Sequence, residues 1–290
     1  MAHHGQRRSI EQQVKGALAP KLRLGTSRHD GKVNRTEGGV IHSGQSYKTY
    51  KDACCSFAHW VEDTYKEHNV FHMGQYVQPY MDHLHDQGYS ASTQKSRLSA
   101  IRKLYNGTST DLSSVTTDAR SRATIMRSRE ESEYTSKHFS YDKHAEEVNV
   151  MAHLGLRRSE YGQLTPNKLV QRGEQWYVEG IKGKGGKTRD VLVRGNDERT
   201  IAFIQRFKDD EKVIPHISEA CPVHALRAEY ASGLYSDLKR DMDDIPPKER
   251  YYCRNDLQGT VYDKQAMQVV SDSMGHNRLS VIAENYLWKL

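Results

Sequence analysis

The chain has 290 residues, with 43 Lys and Arg against 37 Asp and Glu, for a formal charge of +6. That length supports one large or two modest domains with buried cores. No run approaches the roughly 18 apolar residues of a membrane span, the opening MAHHGQRRSIEQQ lacks a secretory leader's apolar stretch, and cysteines at 54, 55, 221 and 253 form neither a CxxC pair nor a disulfide framework; these features predict a reducing, cytoplasmic compartment rather than a membrane or secreted protein.

Residues 1–45 hold eight basic side chains (Arg7, Arg8, Lys15, Lys21, Arg23, Arg28, Lys32 and Arg35) against Glu11, Asp30 and Glu37. That excess accounts for most of the net charge, and the segment ends in the glycine-rich TEGGVIHSGQS. It reads as a mobile basic arm, suited to an anionic partner or simply solvated. From about Ser46 the pattern turns helical. Tyr50, Cys54, Phe57, Val61 and Tyr65 recur at spacings of three and four, which predicts one apolar stripe. Val77, Met81 and Leu84 predict a second helix, closed by Gly88. Ser90 or Ser92 caps a third, with Leu98, Ile101 and Tyr105 inward. Lys95, Ser99 and Arg102 share its other face, an arrangement that suits a DNA backbone as well as plain solvent.

Asn106 to Arg120, NGTSTDLSSVTTDAR, is rich in Ser, Thr, Asp and Gly. It predicts a linker (107–120) between a helical domain at 46–106 and a second domain at 121–290. In the second domain Trp176, Val178 and Gly180 alternate with Tyr177, Glu179 and Ile181, and a Gly/Lys turn leads to a return strand over Arg189–Arg194. Leu226, Tyr230, Leu234 and Leu238 then mark a helix.

Four stretches of this domain carry candidate chemistry. They are Gly155-Leu156-Arg157-Arg158-Ser159-Glu160 at the end of a helical pattern, Gly183-Lys184-Gly185-Gly186-Lys187-Thr188-Arg189 at the hairpin turn, His224-Ala225-Leu226-Arg227 on a helix, and Gly275-His276 with Tyr286 ten residues on. Singly, each has a structural explanation: a surface ion pair, a hairpin tip, a helix pair, a core tyrosine. In order, they resemble the tyrosine recombinases, specifically the phage and mobile-element integrase branch. The match runs from about 120 to 290, and residues 46–105, notably STQKSRLSAIRKLY, resemble the family's core-binding domain more loosely.

The resemblance implies a mainly α fold with a small β-sheet, a two-domain clamp on duplex DNA formed by a helical core-binding domain and a mixed, mostly helical catalytic domain. It implies an enzyme that cleaves and rejoins DNA through a 3′-phosphotyrosine, integrating or excising a mobile element. Arg157 and Arg227 would clamp the non-bridging oxygens, since guanidinium stays ionised and presents a planar fork. Tyr286 would be the nucleophile, with an ordinary pKa of ~10 that calls for a proton acceptor. His224 would be that base, Lys184 the acid on the 5′-oxygen, His276 a hydrogen-bond partner of the phosphate, and Glu160 a partner steering an arginine. Covalent storage of the bond would require neither ATP nor metal, hence no cofactor. Partners would be double-stranded DNA with specific attachment or core sites, a homotetramer on two sites, and accessory DNA-bending or directionality proteins, with no membrane; the protein would be nucleoid-associated when bound. Lys95, Ser99 and Arg102 would contribute DNA contacts.

Three details stay open on sequence alone. On a helix Arg157 and Arg158 point about 100° apart, and the Gly-Leu-Arg register selects Arg157. Lys184 fits the Gly-Lys-Gly pattern better than Lys182 or Lys187. The His276–Tyr286 spacing is one longer than in well-known members, so either the loop after His276 absorbs it or the tyrosine docks only on DNA. The four residues past Tyr286 leave little for a tail exchanged between protomers. Gly186-Lys187-Thr188 is not a P-loop, because the earlier glycine falls on Ile181 and a strand follows. His68, His72, His83 and His85 lack an acidic or cysteine third ligand at zinc spacing. A chromosome-dimer resolvase, a catalytically silent DNA binder and a type IB topoisomerase are the rival readings.

Overall fold

The computed structural model describes residues 8–26, 39–121, 133–184 and 186–287. The chain divides into two compact units, Met1–Arg120 and Ser121–Leu290.

Unit 1 begins earlier than the charge pattern suggests. Helix α1 (Ile10–Leu18) is set by a capping box between Ser9 and Gln12, and it buries Ile10, Val14 and Leu18. Their spacing of four puts all three on one stripe. It shares a core with α2 (Gly44–Tyr65), α3 (Val77–Asp86) and α4 (Ala91–Tyr105). Ile41 is buried and bridges Leu22. The Lys21 ammonium donates to the carbonyls of Leu104 and Asn106 at 2.9 Å, neutralising the carbonyl end of α4. The expected mobile arm over 1–45 therefore does not hold for residues 9–22, whose apolar stripe outweighs their polar composition. Of its other cations, Arg7, Arg28, Lys32 and Arg35 lie outside the described residues.

The core of α2 is Cys54, Phe57, Ala58 and Val61. Ser90, not Ser92, caps α4 by accepting from the Thr93 N–H. The expected linker is docked on unit 1. Leu112 is buried in its core, Arg102 donates to the Leu112 and Val115 carbonyls at 3.1 and 3.3 Å, and Asp118 accepts from Gln94 at 2.6 Å beside His85 at 2.9 Å. A polar segment stays put here because buried Gln94 makes specific bonds to it.

Unit 2 is mostly helical around a small antiparallel sheet. Helices α5 (Glu133–His138) and α6 (Ala145–Leu154) precede strands β1 (Leu169–Arg172), β2 (Gln175–Lys182) and β3 (Thr188–Leu192), which lie in that order. The expected hairpin is β2–β3, with Tyr177 opposite Leu192 and Lys182 opposite Thr188, and it is bulged between Val178 and Ile181. The return strand stops at Leu192, two residues short of the expected Arg194, where the chain turns at Arg194–Asn196. Strand β1 was not foreseen, since its residues do not alternate clearly. Helix α7 (Glu198–Gln205) and the long α8 (Val223–Leu238) follow. A second hairpin of β4 (Arg250–Tyr252) and β5 (Val261–Asp263) then leads to α9 (Lys264–Met274) and α10 (Leu279–Asn285). Among the described residues no helix is long and apolar enough to cross a membrane.

Candidate active site

The first motif is a helix end that only glycine permits. Gly155 closes α6 at φ +56°, and a Cβ there would stand 2.3 Å from Cδ1 of buried Tyr230. Leu156 enters the core, so Arg157 emerges in the following turn rather than on the helix, contrary to expectation. The two arginines still part company. Arg158 donates to the carbonyls of Ile217, Ser218 and Cys221 at 3.0, 2.7 and 2.8 Å, staking down the approach to α8. Arg157, partly exposed, turns to Glu160.

Glu160 is 2% exposed. Its carboxylate accepts from the Arg157 backbone N–H at 2.8 Å and Nη1 at 2.7 Å, and from Arg189 Nη2 at 2.7 Å and Nη1 at 3.2 Å. Burial pushes its pKa up, but the hydrogen bonds from Arg189 and Arg157 outweigh burial and bring it down to about 2. A fixed carboxylate thus holds Arg157.

The second motif forms the β2–β3 turn. Its ring is closed by the Gly183 N–H to the Lys187 carbonyl at 2.8 Å, with Gly186 at φ +82°. Lys184 stands exposed on it, next to Gly185, which lies outside the described residues. Lys187 reaches across instead, donating to Asn277 Oδ1 at 2.9 Å, beside His276.

Helix α8 carries the third motif. His224 is exposed in the first turn, and Arg227 one turn on is 2% exposed. Arg227 donates to the carbonyl of Gly155 and to that of Met274 at 2.6 Å, tying the ends of α6 and α9 together. Burial lowers its pKa, while the Tyr286 hydroxyl pushes the other way; guanidinium stays ionised in either case. Its Nη2 lies 3.5 Å from His276 Nε2.

Gly275 closes α9 at φ +67°. The His276 N–H then bonds the Ser271 carbonyl at 2.9 Å, and Ser271 Oγ bonds the His276 carbonyl at 3.1 Å. Burial, and then the charges of Arg227, Arg157 and Arg189, lower the His276 pKa to about 4, so the ring is neutral near pH 7. Its centroid is 5.6 Å from that of Tyr286. The ten residues from His276 to Tyr286 are not one regular helix: α10 starts only at Leu279 after extended Arg278, and Tyr286 itself leaves helical geometry at φ −125°. Buried Leu287 anchors the tyrosine from behind, its carbonyl accepting from the Tyr262 hydroxyl at 2.8 Å.

Arg157, Glu160, Arg227, His276 and Tyr286 therefore converge, whereas Lys184 and His224 stand exposed. The residue that sequence reasoning missed is Arg189, 8% exposed. Its signal was available: β3 alternates inward and outward, and Arg189 shares the inward face with Val191. In unit 1, Lys95, Ser99 and Arg102 do share one exposed face of α4. Ser99 Oγ is turned back to the Lys95 carbonyl at 2.8 Å, and Arg102 is partly occupied with residues 112–115.

No protein-family model and no curated protein sequence matches this chain. Solved structures do. XerH site-specific recombinase bound to difH substrate in a pre-cleavage complex matches with a TM-score of 0.52 at 14% identity, over 96% of this chain and 94% of that one. The XerH post-cleavage complex on palindromic difH gives 0.50 at 15% identity, over 99% and 96%. The Tn1549 transposon integrase in complex with transposon right end DNA gives 0.47 at 11% identity, over 96% and 95%. The chain has the fold of the XerH recombinase, mainly α with small antiparallel sheets, as the motif order implied.

Proposed function

We propose that this protein is a site-specific DNA recombinase that cleaves and rejoins strands through a 3′-phosphotyrosine on Tyr286. The observation that carries the reading is the convergence of Tyr286 with Arg227 and His276, beside Arg157 held by Glu160. The Tyr286 oxygen attacks phosphorus, the P–O5′ bond breaks, and the phenolic proton passes to His224. Lys184 supplies a proton to the departing 5′-oxygen, with the 183–187 turn bringing it in on bound DNA. Arg157 and Arg227 stabilise charge on the non-bridging oxygens, which contributes about 10²-fold or more per donor. Neutral His276 orients one of those oxygens. The phosphotyrosine stores the bond, so rejoining needs no ATP, and the side chains of the site supply the charge for a reaction that proceeds without a metal. Double-stranded DNA is the substrate, engaged at two sites by four copies of the chain, with Lys95, Ser99 and Arg102 adding backbone contacts.

Two settings fit this chemistry: integration or excision of a mobile element, with accessory DNA-bending or directionality proteins, and resolution within a resident chromosome. The basic residues that precede the first domain favour the first, although α1 and Lys21 within that segment serve the core. Direct repeats flanking the gene would favour the first.

The test is covalent trapping on nicked duplexes tiled from the DNA around the gene, in EDTA and without ATP, analysed on a denaturing gel. Wild type forms an adduct and Tyr286→Phe forms none while still binding. An adduct from the variant moves the nucleophile elsewhere. Specific binding with no adduct from wild type makes the protein a silent DNA binder, and relaxation of any plasmid without a second site makes it a topoisomerase.

A further inference from the structure

Arg189 lies on none of the roles assigned above, yet three motifs meet on its side chain. Two nitrogens of its guanidinium bond Glu160, at 2.7 and 3.2 Å, and Glu160 also holds Arg157. Its Nε donates to the Ser273 carbonyl at 2.7 Å, in the last turn of α9 just before Gly275-His276. The two motif glycines flank it. A Cβ on Gly275 would stand 2.8 Å from Arg189 Cδ, and one on Gly183 would stand 3.0 Å from Nη1 and 3.3 Å from Glu160 Oε1. Those glycines leave the space through which the guanidinium passes, which gives their place in the sequence a packing reason beyond turn geometry. A buried arginine with two partners of fixed direction is a rigid strut, since its planar fork allows few other arrangements.

We propose that Arg189 is a positioning residue of the candidate active site: by spanning Glu160 and the Ser273 carbonyl it holds Arg157 and the Gly275-His276 segment in mutual register around one phosphodiester. The inference rests on the recombinase reading. Arg189 does not touch the reacting atoms; it acts through Glu160 on Arg157 and through the end of α9 on His276. It is also one of three cations around the His276 ring, with Arg227 from α8 and Arg157 from the turn after α6, while Glu160 opposes them and Tyr286 faces the ring from the end of α10.

The experiment compares wild type, Arg189→Met and Arg189→Lys in single-turnover cleavage of the nicked duplex, and follows the His276 ring through a pH titration by NMR in the free protein. Arg189→Met is expected to cleave about 10²-fold more slowly, the scale of loss when a reacting group is misplaced by about 1 Å, with DNA affinity unchanged and the His276 midpoint raised. Arg189→Lys keeps the charge but cannot span both contacts, so it cleaves between the two. If Arg189→Met fails to fold because Glu160 loses its buried partner, Arg189→Met/Glu160→Gln removes both charges and is expected to fold and remain slow. A folded methionine variant, single or double, that cleaves at the wild-type rate overturns the proposal. So does a lysine variant at the wild-type rate, or an unmoved His276 midpoint. Absence of any adduct from wild type defeats the recombinase reading instead, and the His276 titration then tests the strut by itself.

Discussion

In unit 1, charged side chains meet at the surface: Glu62 lies between His59 and His68, Glu11 reaches His59, and Asp118 sits beside His85. The four histidines weighed for zinc go to separate partners: His68 to Glu62, His72 to Glu67, His85 to Asp118, and His83 stacked on Trp60. Below the surface of unit 1 the polar group among the described residues is a neutral amide, Gln94. Unit 2 instead buries Glu160, Arg189, Arg227 and Asp263. Asp263 caps α9 while taking a two-pronged contact from Arg240 at 2.8 and 2.9 Å, which holds its carboxyl well below the usual range. Desolvating charges is costly and seldom the best route to stability. Three of these buried charges, Glu160, Arg189 and Arg227, gather around the candidate site, and perturbed charges of this kind cluster at functional sites.

The sharpest break between the units is expected at Arg227. Arg227→Gln should slow adduct formation by about 10²–10³-fold at saturating DNA, measured in single-turnover trapping. Arg102→Ala in unit 1 should leave that rate unchanged and weaken binding only. Equal effects on rate would erase the distinction between buried and exposed charge.

Two glycines sharpen the comparison in stability. Gly155 and Gly107 both have positive φ, but a Cβ on Gly155 meets the Tyr230 ring at 2.3 Å while one on Gly107 meets nothing. Gly107→Ala should cost about 1 kcal/mol from backbone strain alone. Gly155→Ala should add roughly 1–3 kcal/mol of overpacking. Urea denaturation of the two variants measures the difference.

Acid should act on unit 2 through His276 and Glu160. His276 is depressed to about 4 in the fold, so below its ordinary pKa of ~6.5 the unfolded chain binds the proton first, and stability falls from there down to about pH 4. Glu160, held near 2, contributes stability above the ordinary carboxylate value of ~4.3 that is lost as pH drops toward about 2. Thermal melts against pH should show both windows, the upper one flattened in His276→Gln and the lower one in Glu160→Gln. The smallest effect is reserved for Lys95→Ala, which should weaken DNA binding uniformly across sequences and reduce the salt slope by about 1.

Much of the fold was legible because local rules and tertiary packing agree. The stripes of α2, α3 and α4 repeat at helical spacing, Ser90 caps where a hydroxyl is needed, and the β2–β3 hairpin alternates. The α1 stripe was equally present in Ile10, Val14 and Leu18, but the surrounding charge drew the reading toward an arm. Strand β1 was missed because four residues are too few to show alternation.

For the candidate site, sequence by itself supplied a roster of Arg157, Glu160, Lys184, His224, Arg227, His276 and Tyr286, through a motif order that resembles the tyrosine recombinases and survives any arrangement in space. Which of them meet was decided by tertiary structure alone. A helix end at Gly155, the carbonyl end of α9 and a non-helical exit at Tyr286 bring together groups up to 129 residues apart in sequence. Arg189 shows the same division. Its place on β3 could be read, but its use depends on a carboxylate from one loop and a carbonyl from another helix, and burial, which makes such bonds strong and specific, is a property of the packed chain.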